Sequence, residues 1–154
     1  MITSDLTQIE KKTLIRAPRA RVWRALTDPK QFGSWFGCEF SGTFMPGVRL
    51  DMISTGKSCP GQEFYMSIDR MEPEQMLSWT WSPGGRKPGE DRSHEGTTLV
   101  EFHLEDVDGG TLVTVVESGF DRISLARRAR VFEENSKGWE HQINSLARYV
   151  TSAA

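Results

Sequence analysis

The chain has 154 residues, 21 acidic and 19 basic side chains, a net charge of −2 and a pI near 5.9. That is the length of one domain with room for a buried core, and it lacks the basic excess of a nucleic-acid surface. No apolar run is long enough to cross a bilayer, and Met1–Glu10 has no charged-then-apolar signal layout, so residues 1–154 read as a single cytoplasmic domain without membrane insertion.

Gln8 to Arg16 reads as a first strand, with Thr13 and Ile15 in β-favouring positions. Pro18 opens a helix at its first turn, where a missing N–H costs nothing. Val22, Trp23, Ala25 and Leu26 give that helix an apolar face, and Asp28-Pro29 ends it. A second short helix runs from Lys30 to about Trp35 and stops at Gly37.

The signal then changes to strands. Glu39 to Phe44 is one, closed by the turn Met45-Pro46-Gly47. Val48, Leu50 and Met52 alternate with polar residues, as do Phe64, Met66 and Ile68, the pattern of half-buried antiparallel strands. A polar turn, Ser54 to Gly61, separates them. After Glu72-Pro73-Glu74, Leu77, Trp79 and Trp81 alternate with Ser78, Thr80 and Ser82. Ser82 to Gly96, rich in Gly and Pro, is a long loop of the kind usually tied to function. Thr98–Glu105 and Thr111–Ser118 form a hairpin around Asp108-Gly109-Gly110. Val113, Val115 and Glu117 are assigned to the face that meets the final helix.

That helix runs from Ser124 to Val150, with Asp121 or Ser124 as N-cap. Leu125, Ala129, Phe132, Trp139, Ile143, Leu146 and Val150 recur by threes and fours as one buried stripe, broken at Ser136. The opposite side carries Arg127, Arg128, Arg130, Glu133, Glu134, Lys137 and Glu140. At 1.5 Å per residue the helix is about 40 Å long, enough to cross six or seven strands spaced about 4.8 Å apart. Gly138 costs about 1 kcal/mol there against alanine, and a close approach at Trp139 is the expected reason. One strand, two short helices, six strands and a long helix make an α+β fold with an antiparallel sheet curled around the helix.

Ala17-Pro18, Val22-Trp23-Arg24-Ala25-Leu26-Thr27-Asp28-Pro29 and Trp35-Phe36 resemble the opening of the START-like (SRPBCC) superfamily. Leu77-Ser78-Trp79-Thr80-Trp81, Ser118-Gly119-Phe120 and Gly138-Trp139 with Ile143, Leu146 and Tyr149 extend the likeness over Thr13 to Val150. More narrowly, the chain resembles the branch of homologues of the activator of the 90-kDa heat-shock protein ATPase (AHSA-type). The resemblance implies a helix-grip fold with a hydrophobic cavity between curved sheet and C-terminal helix. It leaves function open, since this scaffold hosts lipid carriers, hormone receptors, cyclases and co-chaperones.

No catalytic constellation stands out. His94, His103 and His141 make no metal pattern with Cys38 or Cys59, which read as reduced thiols. No phosphate loop or nucleophile elbow occurs, so no catalytic residue, metal or cofactor is expected. Glu117 is the notable side chain: on an apolar face a carboxylate must be paired or shift its pKa upward. It is read either as a salt bridge to an arginine such as Arg122, or as a functional group. The aromatic side chains are read as core or as pocket walls.

The favoured expectation is a protein that binds an apolar or aromatic small molecule with one polar end. Its walls are Trp35, Phe36, Met52, Phe64, Trp79, Trp81, Phe102, Trp139 and Ile143, its polar anchor is Glu117, and the loop Ser82–Gly96 gates access. Two alternatives stay open: a cyclase- or hydrolase-like enzyme using Glu117 or a pocket water, and a stress-response co-chaperone with a chaperone partner. Edge strands such as Glu39–Phe44 give a homodimer a place to pair, although nothing requires it.

Overall fold

The computed structural model describes residues 8–40, 42–55, 61–82 and 96–152. The expected gating loop lies, apart from its ends, outside the described residues, as do Cys59 and His94. The elements in chain order are β1 (Gln8–Ile15), α1 (Arg19–Thr27), α2 (Pro29–Phe36), β2 (Cys38–Phe40), β3 (Arg49–Ser54), β4 (Glu63–Glu72), β5 (Met76–Trp81), β6 (Thr98–Val107), β7 (Gly110–Ser118), a short 3-10 turn at Phe120–Arg122, and α3 (Leu125–Ser152). The fold class is the expected α+β.

All strand pairs are antiparallel, in one seven-stranded sheet ordered β1-β7-β6-β5-β4-β3-β2. Period-two alternation puts one side chain in two on the inner face. Ladder partners repeat it across the sheet: Trp79 stands between Ile68 and Val100, Leu77 meets Phe102, and Phe102 meets Val115. These side chains are buried beneath α3 with Leu50, Met52 and Met66. Between Ile68 and Arg70 the register of β4 on β5 shifts, and the carboxylate of Asp69 accepts from the hydroxyl of buried Ser78 at 3.1 Å.

The short helices cover one end. Pro18 precedes α1 instead of opening it, while Pro29 starts α2 directly after Asp28. Gly37, at φ 88°, ends α2 as expected, because a left-handed residue suits glycine. Both helices are bound to α3: Gln142 Nε2 donates to Phe36 O at 2.8 Å, Ser145 Oγ to Trp35 O at 2.6 Å, and the Arg21 guanidinium lies 5.4 Å from the Tyr149 ring centre.

Three expectations change. The second strand stops at Phe40 instead of reaching Phe44. At Gly42 the backbone takes φ 125°, and a Cβ there would meet Leu50 Cδ2 at 2.6 Å, so the chain leaves the ladder while Phe44 still turns into the core. The start of the helical stripe is also different. Leu125 is 79% exposed and Ala129 is exposed, whereas Val131 is buried. The buried series is Val131, Trp139, Ile143, Leu146 and Val150. Finally, Gly138 makes no close approach: apart from its chain neighbours and its own helix backbone, no described atom lies within 4 Å of where its Cβ would stand.

Glycine therefore has opposite roles at two positions. Gly138→Ala should raise unfolding free energy by about 0.5–1 kcal/mol in urea titrations, from helix propensity alone. At Gly110, φ is 153° and a Cβ would fall 2.1 Å from Ile15 O. Gly110→Ala should instead destabilise by more than about 1 kcal/mol, because β1 must shift to admit it.

Candidate functional site

Glu117 lies on β7, opposite Val100 of β6 and Ile9 of β1, and is fully buried. Its placement beside Val113 and Val115 on the helix-facing side is the expected one. The partners differ from the expected arginine: Arg122 is exposed, and the described donors to this carboxylate are all neutral. Oε2 accepts from Trp81 Nε1 at 2.8 Å and Thr98 Oγ1 at 2.5 Å. Oε1 accepts from Trp139 Nε1 at 2.8 Å and Asn135 Nδ2 at 2.9 Å. A carboxylate offers about four lone-pair positions, so the group is saturated. A ligand's donor must replace one of these four.

The sheet supplies half of this arrangement and the helix the other half. Thr98 and Trp81 are ladder partners on β6 and β5, so both point to the same face two residues from the Val100–Glu117 pair. Asn135 and Trp139 are four apart on α3 and project side by side. Asn135 and Thr98 had no part in the sequence-based site. The available signal was spacing: Asn135, not Ser136, continues the interval of four that joins Val131 to Trp139, and Thr98 is in phase with Val100 and Phe102.

The expected wall residues form one packed aromatic body. Trp79 has ring centres of Phe32, Trp81, Phe102 and Trp139 within 6.4 Å, and Trp81 lies 5.8 Å from Trp139. Phe32 and Phe36 stack at 4.9 Å, and Phe36 also reaches Trp81 and Trp139 at 6.1 Å. Trp35 is fastened to the short helices, its Nε1 donating to Ala25 O at 2.7 Å, with its ring edge-on to Phe102. Met52 and Ile143 are buried beside this body. Phe36 and Phe64 are only partly buried, and both rings contact Trp81. Those two carry the aromatic body to the surface.

Among the described residues, two buried side-chain atoms have no hydrogen-bond partner, the indole Nε1 of Trp79 and Oε1 of Gln142. Cys38 is buried in apolar surroundings, and burial pushes its thiol up to about 12. A thiol so placed is inert as a nucleophile. His103 is exposed on β6, within 3.4 Å of Glu101. Among the described residues, no group of three acidic, His or Cys side chains could hold a metal ion, and no helix is long and apolar enough to cross a membrane.

A curved antiparallel sheet around a long C-terminal helix, with two short helices after the first strand, defines a START-like domain of the helix-grip type. The chain belongs to the family described as Activator of Hsp90 ATPase homolog 1-like protein, whose model matches residues 16–151. Among solved structures it is similar to protein MLL2253 from Mesorhizobium loti, at 21% identity and TM-score 0.76, covering 96% of this chain and 98% of that one. A protein from Arthrobacter aurescens matches at 17% identity and TM-score 0.80, over 100% and 92% of the two chains. DynU16, a protein of the dynemicin biosynthetic locus, is 26% identical with TM-score 0.72, covering 94% of this chain and 47% of its own. No curated protein matches.

Glu117→Gln tests the saturation. Whichever position the new amide nitrogen takes, it faces two donors. Thr98 can rotate and Asn135 can turn its amide, but Trp81 or Trp139 then loses its acceptor. The expected cost is about 1–3 kcal/mol, read as a lower urea midpoint at unchanged slope. Removing the orphaned indole with Trp81→Phe or Trp139→Phe should cost less in that background than in the parent. For Cys38, a thiol reagent at pH 8 should label the residue only after unfolding. Its contribution to stability should be complete below about pH 9 and fall as pH rises toward 12, because the unfolded chain ionises first.

Proposed function

We propose that the protein binds an apolar or aromatic small molecule between the sheet and α3, with the aromatic body as its walls. The observation that carries this reading is the unbroken path of rings from Phe36 and Phe64 at the surface, through Trp81 and Trp139, to Trp79 and Phe102. Small-molecule sites are largely apolar with a few convergent polar groups, and this region has that composition. The described rings touch one another, so a ligand is accommodated by displacing Phe36 and Phe64, the two that already reach solvent.

In this reading Glu117 acts through the tryptophans. Its two oxygens fix the indoles of Trp81 and Trp139, and so fix the ring faces that a flat ligand stacks on.

Native mass spectrometry of freshly purified protein, followed by solvent extraction, is the direct experiment. A discrete adduct released on denaturation is the expected result. In titrations with a naphthalene-class probe, Trp81→Ala and Trp139→Ala should each weaken binding about tenfold, the scale of losing one apolar contact of 1–3 kcal/mol. Unchanged affinity in variants with native circular dichroism would reject these walls.

A further inference from the structure

Four of the five tryptophans are buried: Trp35, Trp79, Trp81 and Trp139. Indole is a donor that usually finds an acceptor when buried. Trp35 has Ala25 O, while Trp81 and Trp139 share Glu117. Trp79 is fully buried, yet its Nε1 has no partner. Leaving such a group unpaired costs about 1–3 kcal/mol. Its surroundings explain the vacancy: the ladder neighbours are Ile68 and Val100, and the contacting rings are Phe32, Trp81, Phe102 and Trp139. None of these side chains has a lone pair free to accept.

A buried water is a poor filler. It needs two to four polar partners, and the described side chains just named leave this site one free N–H. The other unpaired atom, Gln142 Oε1, belongs to a side chain on the seam between α2 and α3. The missing acceptor is better supplied by a group whose remaining surface is apolar. That group must also be uncharged. Trp81 and Trp139 both contact Trp79 and both bond to Glu117, so an anion on Trp79 would stand one indole away from a buried carboxylate whose described donors are all neutral. Like charges at that range in a low dielectric repel.

Resting on the binding reading above, we infer that the ligand is a flat aromatic molecule bearing a neutral carbonyl-type oxygen, which accepts from Trp79 Nε1. The carbonyl turns an unpaired donor into a paired one at the deepest point of the ring path. Glu117, already saturated, takes no part in that contact.

Three compounds of nearly equal shape test this: 2-acetylnaphthalene, its hydrocarbon isostere 2-isopropenylnaphthalene, and 2-naphthoate. The ketone should bind about three- to tenfold tighter than the hydrocarbon, the worth of one neutral hydrogen bond, and tighter than the carboxylate. Trp79→Phe should abolish the difference while hydrocarbon affinity persists. In the parent protein, the Trp79 indole N–H resonance, assigned through its contacts to Ile68 and Val100, should shift downfield with the ketone and not with the hydrocarbon. That readout decides the matter if Trp79→Phe fails to fold. Equal binding of ketone and hydrocarbon, preference for the carboxylate, an advantage that survives Trp79→Phe, or an indole signal already hydrogen-bonded without ligand would each overturn this inference alone. If none of the three binds, the small-molecule reading itself falls, and this inference with it.

Discussion

One buried carboxylate organises the interior. Glu117 comes from the strand next to the sheet's first edge, yet half of its hydrogen bonds come from the helix that lies across the sheet. Taking a carboxylate out of water without compensation costs many kcal/mol, so helix and sheet must meet in a register that delivers all four donors together. A slide of α3 by one turn would put one of Asn135 and Trp139 in the other's place and bring apolar Val131 or Ile143 to the second, leaving an oxygen short of a donor. Apolar packing alone tolerates such slips, whereas a polar network satisfied in one arrangement does not.

The same constraint gives the aromatic interior its order. Indoles can pack in several orientations, but an N–H bound to a fixed oxygen leaves only one. Trp81 and Trp139 are held in this way from the same residue, and their rings meet at 5.8 Å with an interplanar angle of 32°. Trp35 is aligned from the other side by the backbone of α1. Trp79, in the middle, is positioned by packing only. In the proposed binding site, these fixed indole faces and the one unsatisfied donor would favour selectivity over tight indiscriminate binding.

The strands and the face of Glu117 were legible because a half-buried sheet imposes period two on its sequence. Val113 and Val115 were enough to orient β7 even though Leu112 and Val116 blur the alternation. Of the four donors, Trp81 and Trp139 were expected near the site, whereas Thr98 and Asn135 carried only their spacing and are ordinary residues until folding brings them to one oxygen pair. Leu125 and Ala129 misled for a simple reason: apolar spacing predicts a buried stripe only where the helix has something to lie on. At Gly138 the inferred neighbour is absent, and Gly42, where φ is positive and a side chain would meet Leu50, lies just beyond the end of a strand that composition alone would have continued. Both depend on atoms distant in sequence.

The strand order has a further meaning for how the molecule comes into being. β1 pairs along its full length with β7, and α1 and α2 are fastened to the last helix. β1 therefore has no ladder partner, and α1 and α2 no covering helix, until the last third exists. Closing so large a loop must precede the contacts that reward it, which places the domain among slow, topologically costly folders. A ribosome making this protein releases an N-terminal strand and helix pair that wait, with apolar faces uncovered, for β7 and α3 to emerge.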